Sequence, residues 1–530
     1  MQELKAKGVS KGISIAPIRV LNRESEIAPR KSDSKDQERQ KLKMALARAN
    51  EKLEAIKVKI EGVESEIFSA HQMMLEDPEV LDRIDNYIEE GYVAEYSVFC
   101  AKNELKEIFN AMDDEYFRAR ANDIEDVLSR VIRIIEGKEG SDLDGEYILL
   151  SDELYPSETL EMDFKNIKGI VTLRGSVTSH TTILANNLKI PAIISLQIGD
   201  INEYDGKLAI IDGKEGDLII DPSEKVLDEY KNKIEQIKIR EHELLSYKNR
   251  PAITKAGKKI SVYANIGSDI EAELAHENGA EGIGLFRSEF LFLGRASAPD
   301  EEEQFRAYKN AVNYMNKKPV IIRTLDIGAD KQVSYLNLKE EDNPQMGFRA
   351  IRISLKDIEF FKIQLRALLR AAAFGPLKVM LPMIISVAEV KKTREIIEDC
   401  KRELDEKNIA YGEIELGVMI ETPAAVMIAD ELAKVSDFFS IGTNDLVSYT
   451  LAVDRTNNEL DEFRDDYHPA IRKMIKMTAE AAHKNNIEVG ICGAMGADPN
   501  MLDFYIEIGI DELSVSVSKV LDLKEMIINR

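Results

Sequence analysis

In the stretch RGSVTSHTTILANNLKIP, residues 174–191, His180 is one of only 6 histidines in the chain, flanked by Thr178, Ser179, Thr181 and Thr182. Thr and Ser accept backbone N–H bonds at a helix start, and ILANNL supplies the apolar repeat that follows. Histidine is a poor helix former, so a cap alone does not call for it. A helix N-terminus offers unpaired N–H groups and a partial positive charge, which together can hold a phosphoryl group. A neutral imidazole is a nucleophile able to carry that group covalently. On this stretch alone, a phosphohistidine and a structural histidine both stay open. A second set, Arg287, Arg323, Glu421, Asn444, Asp445 and Cys492, falls at the ends of short apolar β-like runs. Two carboxylates on neighbouring strand ends suit a hard cation such as Mg²⁺. Arginines beside them hold phosphate and carboxylate by paired N–H bonds, and a thiol can move a proton. Taken singly, such residues are commonly a solvated charge or a small core cysteine. Together they point to an anionic phosphorylated substrate bound through metal.

The elements that must position these residues separate into three regions. Residues 33–136 are almost free of Gly and Pro, and they read as long amphipathic helices with a turn near Asp77-Pro78. On either side lie β-like runs, GISIAPIRVL before and EYILLS, GIVTL, AIISL and KLAIIDG after. Residues 1–32 and 137–222 are therefore expected to form one α/β domain with the helical bundle, 33–136, inserted into it. Residues 223–254 begin with a highly charged helix without an obvious buried face, a connecting rod. From 255 to 530 strand and helix alternate. The runs ISVYANI, GIGLFR, VIIRTLDI, KVMLPMI, LGVMIET, FFSIGTND, VGICG and ELSVS give eight strands, each but the last followed by helix-compatible sequence. That is the rhythm of a (β/α)₈ barrel of the TIM type, whose chemistry sits at the C-terminal strand ends. The fold class is thus multidomain α/β.

Composition bounds the partners. A chain of 530 residues holds more than one domain. Its net charge of −25 argues against nucleic acid and suits a basic protein partner. No run approaches the length of a membrane span, and MQELKAKGVSKGIS lacks the apolar stretch of a signal peptide. Cys100, Cys400 and Cys492 are too far apart for a disulfide framework or a zinc pattern. The cytoplasm is the expected compartment.

The chain resembles the enzyme I family of the phosphoenolpyruvate-dependent sugar phosphotransferase system, the phosphoenolpyruvate–protein phosphotransferases. The resemblance runs over essentially the full length. Before residue 200 it rests on EIFSAHQMMLEDPEV (66–80), DDEYFRARANDIEDV (113–127) and TSHTTILA (178–185). In the barrel it rests on GIGLFRSEFLF (282–292), IIRTLDIGADK (321–331), NPQMGFRAIRI (343–353), VMIETPAA (418–425), FFSIGTNDL (438–446), LAVDRTN (451–457) and ICG (491–493). The resemblance implies that His180 takes the phosphoryl group from phosphoenolpyruvate and that Glu421 and Asp445 bind Mg²⁺. It implies that Arg287, Arg323, Asn444, Asp445 and Arg455 hold the substrate, with Lys331 and Arg349 helping to neutralise its phosphate. Cys492 would protonate the enolate to pyruvate. The bundle would dock the phosphocarrier HPr, and the chain would dimerise through its barrel while the histidine domain swings about the rod.

Four positions depart from the family pattern. Arg174 replaces the first of two glycines, Asn186 stands where an arginine would contact the phosphoryl group, Ala494 replaces a glutamate, and the chain stops at Arg530, sooner than its relatives. Arg174 is a candidate substitute for the arginine absent at 186. A paralogous regulatory or weakly active phosphohistidine protein with a different acceptor is the alternative reading. A dikinase or synthase relative would need a nucleotide-binding domain, for which the segment before His180 leaves no room.

Overall fold

The computed structural model describes all residues except 22–26, 58–62, 111–114, 138–144, 155–161, 163, 176–181, 183, 186–187, 294, 296, 329–332, 340 and 455–456. The chain divides into two compact units, Met1–Lys238 and Ile239–Arg530.

The first unit holds a mixed eight-stranded sheet and a helical bundle. Its strands are β1 (Gln2–Lys5), β2 (Lys7–Ser10), β3 (Ile13–Leu21), β4 (Tyr147–Ser151), β5 (Ile167–Thr172), β6 (Ala192–Ile194), β7 (Leu208–Asp212) and β8 (Asp217–Ile220), in the order β1-β8-β7-β3-β4-β5-β6-β2. β3, β4, β5 and β6 run parallel, and the remaining pairs are antiparallel. The central strands are apolar on both sides, as strands covered on two faces must be: Ile148, Leu149 and Leu150 of β4 are all buried. The sequence signals β3 to β7 but not β1, β2 or β8. QELK and KGVS carry too few apolar residues to stand out, and DLII is only four residues long.

Parallel neighbours need a crossover connection, and between β3 and β4 the bundle is that connection. Its helices are α1 (Lys35–Lys57), α2 (Val63–Leu75), α3 (Pro78–Glu89), α4 (Ala94–Asn110) and α5 (Glu115–Ile135). The expected turn at Asp77-Pro78 is a helix start: the Asp77 carboxylate accepts from the Glu79 N–H and Pro78 occupies the first turn, where its missing N–H costs nothing. Buried Leu53, Phe68, Ile84, Ile88, Val98 and Val131 build the bundle core. The start of α4 is held from α1, because buried Glu38 accepts the Ala94 N–H at 2.9 Å while Lys41 (2.8 Å) and Ser32 (3.0 Å) satisfy its other oxygen.

Helix α6 (Glu224–Leu245) follows β8. The sequence suggests no buried face, yet Tyr230 is buried against Ile210 and Ile219 of the sheet. Three apolar residues in its first two turns, Val226, Leu227 and Tyr230, are too few to register among so many charges. Its later residue Arg240 pairs with Glu525 and lies 3.5 Å from Asp522.

The second unit is a closed barrel of eight parallel strands: β9 (Ser261–Ile266), β10 (Ile283–Arg287), β11 (Val320–Arg323), β12 (Leu377–Leu381), β13 (Glu415–Ile420), β14 (Phe438–Ile441), β15 (Glu488–Ile491) and β16 (Glu512–Ser516). Every strand read from the sequence is present. The last strand is also followed by a helix, Val520–Ile528, which the sequence reading left out. Val520, Leu523 and Ile527 give it a narrow buried stripe of only nine residues. No helix among the described residues is long and apolar enough to cross a membrane.

Candidate active site at the mouth of the barrel

Six side chains that the sequence places at strand ends line one cavity of about 430 Å³ at the C-terminal mouth of the barrel: Arg287, Arg323, Glu421, Asn444, Asp445 and Cys492. Arg287 and Arg323 are the last residues of β10 and β11 and lie directly opposite one another in register. Glu421 follows β13, Cys492 follows β15, and Asn444 and Asp445 occupy the first turn of the helix Thr443–Leu451 after β14. The apolar strands below are buried, and the polar residues gather where the strands end.

Arg323 is 8% exposed and enclosed by acids. Its Nη2 donates to Glu289 at 2.5 Å and its Nη1 lies 2.8 Å from Asp326. Burial works against the charge, but Asp326 and then Glu289 outweigh it and hold the guanidinium pKa above its ordinary value. Arg349 sits behind the cavity rather than in its lining. It contacts Asp326 at 2.8 Å and Asp445 at 3.5 Å, and also donates to Gln345 (3.0 Å) and Tyr449 (3.3 Å). The residue after it, Ala350, has φ 54° and ψ −127°, a strained backbone for a residue with a side chain.

Glu421 is 2% exposed, and its Oε1 accepts the N–H of Met383 at 2.6 Å. Met383 is itself left-handed, φ 58°. Burial, then Asp445, then Asp326, push the Glu421 carboxyl up to about 8. Two acids are thus crowded together, with Arg349 3.5 Å from Asp445. Among the described residues no three His, Cys, Asp or Glu side chains converge on one point. A pair of hard oxygen donors with room beside it suits a cation that keeps waters and takes its remaining ligands from a phosphate, as Mg²⁺ does. Cys492 is 5% exposed, its thiol 3.6 Å from the Ile441 carbonyl. Burial pushes the thiol pKa up to about 12, so at neutral pH it carries its proton. The Asn444 side-chain Oδ1 accepts the N–H of Ala494 at 3.2 Å, tying the β14 loop to the β15 loop.

His180, Asn186, Lys331 and Arg455 lie outside the described residues. Arg174 is exposed, with its Nε 3.3 Å from Asp152. Two further charged residues line the cavity that the sequence did not single out, Glu289 and Asp326. Each is a lone acid in an apolar run, FRSEFLF and IIRTLDI, and that contrast was the available signal.

This fold and site define a class. Models of the PEP-utilising enzymes match the chain throughout: the N-terminal domain at residues 5–120, the mobile domain at 143–216 and the PEP-binding domain at 241–530. The phosphoenolpyruvate-protein phosphotransferase of Bacillus subtilis is 40% identical over 99% of this chain and 94% of its own length. That of Mycoplasma capricolum is 39% identical over 99% of this chain and 93% of its own. A solution structure of an Enzyme I protein is 33% identical, covers 44% of this chain and 99% of its own, and has a TM-score of 0.36. The chain belongs to the phosphoenolpyruvate–protein phosphotransferase family.

Proposed function

We propose that the chain transfers the phosphoryl group of phosphoenolpyruvate to its own His180 and then to the phosphocarrier HPr, releasing pyruvate. The observation that carries this reading is the gathering of Arg287, Arg323, Glu421, Asn444, Asp445 and Cys492 around one cavity. Arg287 and Arg323 supply fixed N–H donors for a substrate bearing both phosphate and carboxylate, aided by Asn444 and, from the family motifs, Lys331, Arg349 and Arg455. Glu421 and Asp445 would hold Mg²⁺, which when bound supplies positive charge to the phosphate and enolate oxygens. The lining carboxyls of Glu289, Asp326, Glu421 and Asp445 outnumber the guanidiniums of Arg287, Arg323 and Arg349 beside them, a setting in which a divalent cation would add positive charge.

In the reaction a ring nitrogen of His180 attacks phosphorus and the bond to the enolate oxygen breaks. The methylene carbon of the enolate then takes the proton of the Cys492 thiol, giving pyruvate and a thiolate that water reprotonates. The high thiol pKa keeps that proton in place until the strongly basic enolate forms. The helical bundle docks HPr, the barrel carries a homodimer interface, and the protein works in the cytoplasm.

Incubation with radiolabelled phosphoenolpyruvate and Mg²⁺, with and without HPr, tests the proposal. Acid-labile, base-stable label on His180 that chases to HPr is expected. No label would refute the transfer, and label that never chases would favour a regulatory protein with another acceptor.

A further inference from the structure

Glu289 is an odd residue to find in the wall of a cavity meant for a trianion. It is 4% exposed, and among the described residues its buried Oε2 has no hydrogen-bond partner while Oε1 accepts from the Nη2 of Arg323. An acid there should repel phosphoenolpyruvate, so a compensating task is needed. Arg287 and Arg323 face each other in register on β10 and β11, and like charges directly opposite push apart. Glu289 lies two residues beyond Arg287 and is bonded to Arg323, so it sits with both cations. Its neighbour Ser288 is fully buried and donates Oγ–H to the Arg323 carbonyl at 2.6 Å. Buried Gln364 backs this contact, donating to Ser288 Oγ at 3.1 Å and accepting the Leu325 N–H at 3.0 Å. The short turn after β10 therefore grips Arg323 twice, by main chain through Ser288 and by side chain through Glu289. Arg323 is fixed before any substrate arrives, the arrangement that makes fixed donors effective.

We infer that Glu289 is a positioning residue for the phosphoenolpyruvate site, holding the Arg323 guanidinium in place beside Arg287. The inference rests on the reading of the cavity given under the proposed function. It is tested by a double-mutant cycle on the full chain in a His180→Ala background, where phosphoenolpyruvate binds without transfer, with calorimetry in Mg²⁺ as the readout. Glu289→Gln keeps an acceptor of the same shape, so loss of fold is avoided and checked by thermal melting. Glu289→Gln is expected to weaken binding about tenfold, and Glu289→Asp to recover part of the loss. In an Arg323→Gln chain, adding Glu289→Gln should change affinity less than twofold, because nothing is left to position. Wild-type affinity in Glu289→Gln, or the same tenfold loss in both backgrounds, would overturn the inference. Labelling of the unmutated chain is scored separately: a chain that binds but takes no label refutes phosphotransfer, and the cycle still decides the role of Glu289.

Discussion

Gly493, immediately after Cys492, has an ordinary φ of −91°, so its requirement is space rather than conformation. A Cβ built there would lie 1.8 Å from Thr443 Oγ1 and 2.8 Å from the Thr443 backbone nitrogen. Real Cβ atoms do not approach that closely, and a backbone nitrogen cannot swing aside as a side chain can. Gly493→Ala must therefore part the loop bearing Cys492 from the turn bearing Asn444 and Asp445, by roughly 1 Å if van der Waals contact is to be restored. Overpacking of this kind costs about 1–3 kcal/mol of stability. A misplacement of about 1 Å at a reacting centre costs on the order of 100-fold in rate. Gly493→Ala is thus expected to melt a few degrees lower yet lose about two orders of magnitude in pyruvate release, followed by a lactate dehydrogenase-coupled assay. Gly199→Ala, whose Cβ meets nothing within 4 Å, serves as the neutral control. Removing the hydroxyl as well, in Gly493→Ala/Thr443→Ala, should recover part of the loss, because the nearest contact is gone while the nitrogen remains. Wild-type kinetics in Gly493→Ala would show that the two loops do not need this spacing, and the positional argument would fall.

Asp445→Ala should abolish the Mg²⁺ dependence of phosphoenolpyruvate binding; calorimetry giving the same affinity with and without Mg²⁺ in the unmutated chain would remove the metal role. Cys492→Ala should lower pyruvate release by about 100-fold or more, the usual worth of a general acid, while binding changes less than threefold; normal turnover would mean another acid. Arg174→Ala should slow labelling of His180, and Asn186→Arg should restore part of it; an unchanged rate in Arg174→Ala ends the idea that Arg174 compensates for Asn186. Burial pushes the Glu512 carboxyl at the base of the barrel up to about 8. Between the ordinary carboxyl range and pH 8 the folded chain then binds the extra proton, so this contribution is fully present at low pH and is lost as pH rises towards and through 8. Glu512→Gln should therefore flatten the fall in melting temperature between pH 6 and 8.5 by a few degrees; an unchanged slope would refute it.

The barrel was legible because eight apolar β-like runs alternate with helix-compatible sequence, and several of those runs end in Arg, Glu, Asn, Asp or Cys. That pattern exposed Arg287, Arg323, Glu421, Asn444, Asp445 and Cys492 together. The pairing of those residues was not legible. The contacts of Arg349 with Asp326 and Asp445 lie beside Ala350, whose left-handed φ no propensity scale foresees for alanine. Glu289 and Asp326 were not singled out from the sequence, and both are buried in the fold. Among the edge strands, β1 and β2 carried too little apolar pattern to announce themselves, and their partners β8 and β6 lie some two hundred residues away along the chain.

That separation also bears on synthesis. Among the described residues β1 pairs with β8 and β2 with β6, while β3 waits for β4 and β7. Everything those strands need is made after the bundle, with roughly 200 residues between the end of β3 and β8. At about 5–20 residues per second, the first three strands leave the ribosome some 10–40 s before their sheet can be completed. The bundle, rich in local contacts, can fold in that interval, and the open strand edges are left for that time as the nascent chain's exposure to aggregation.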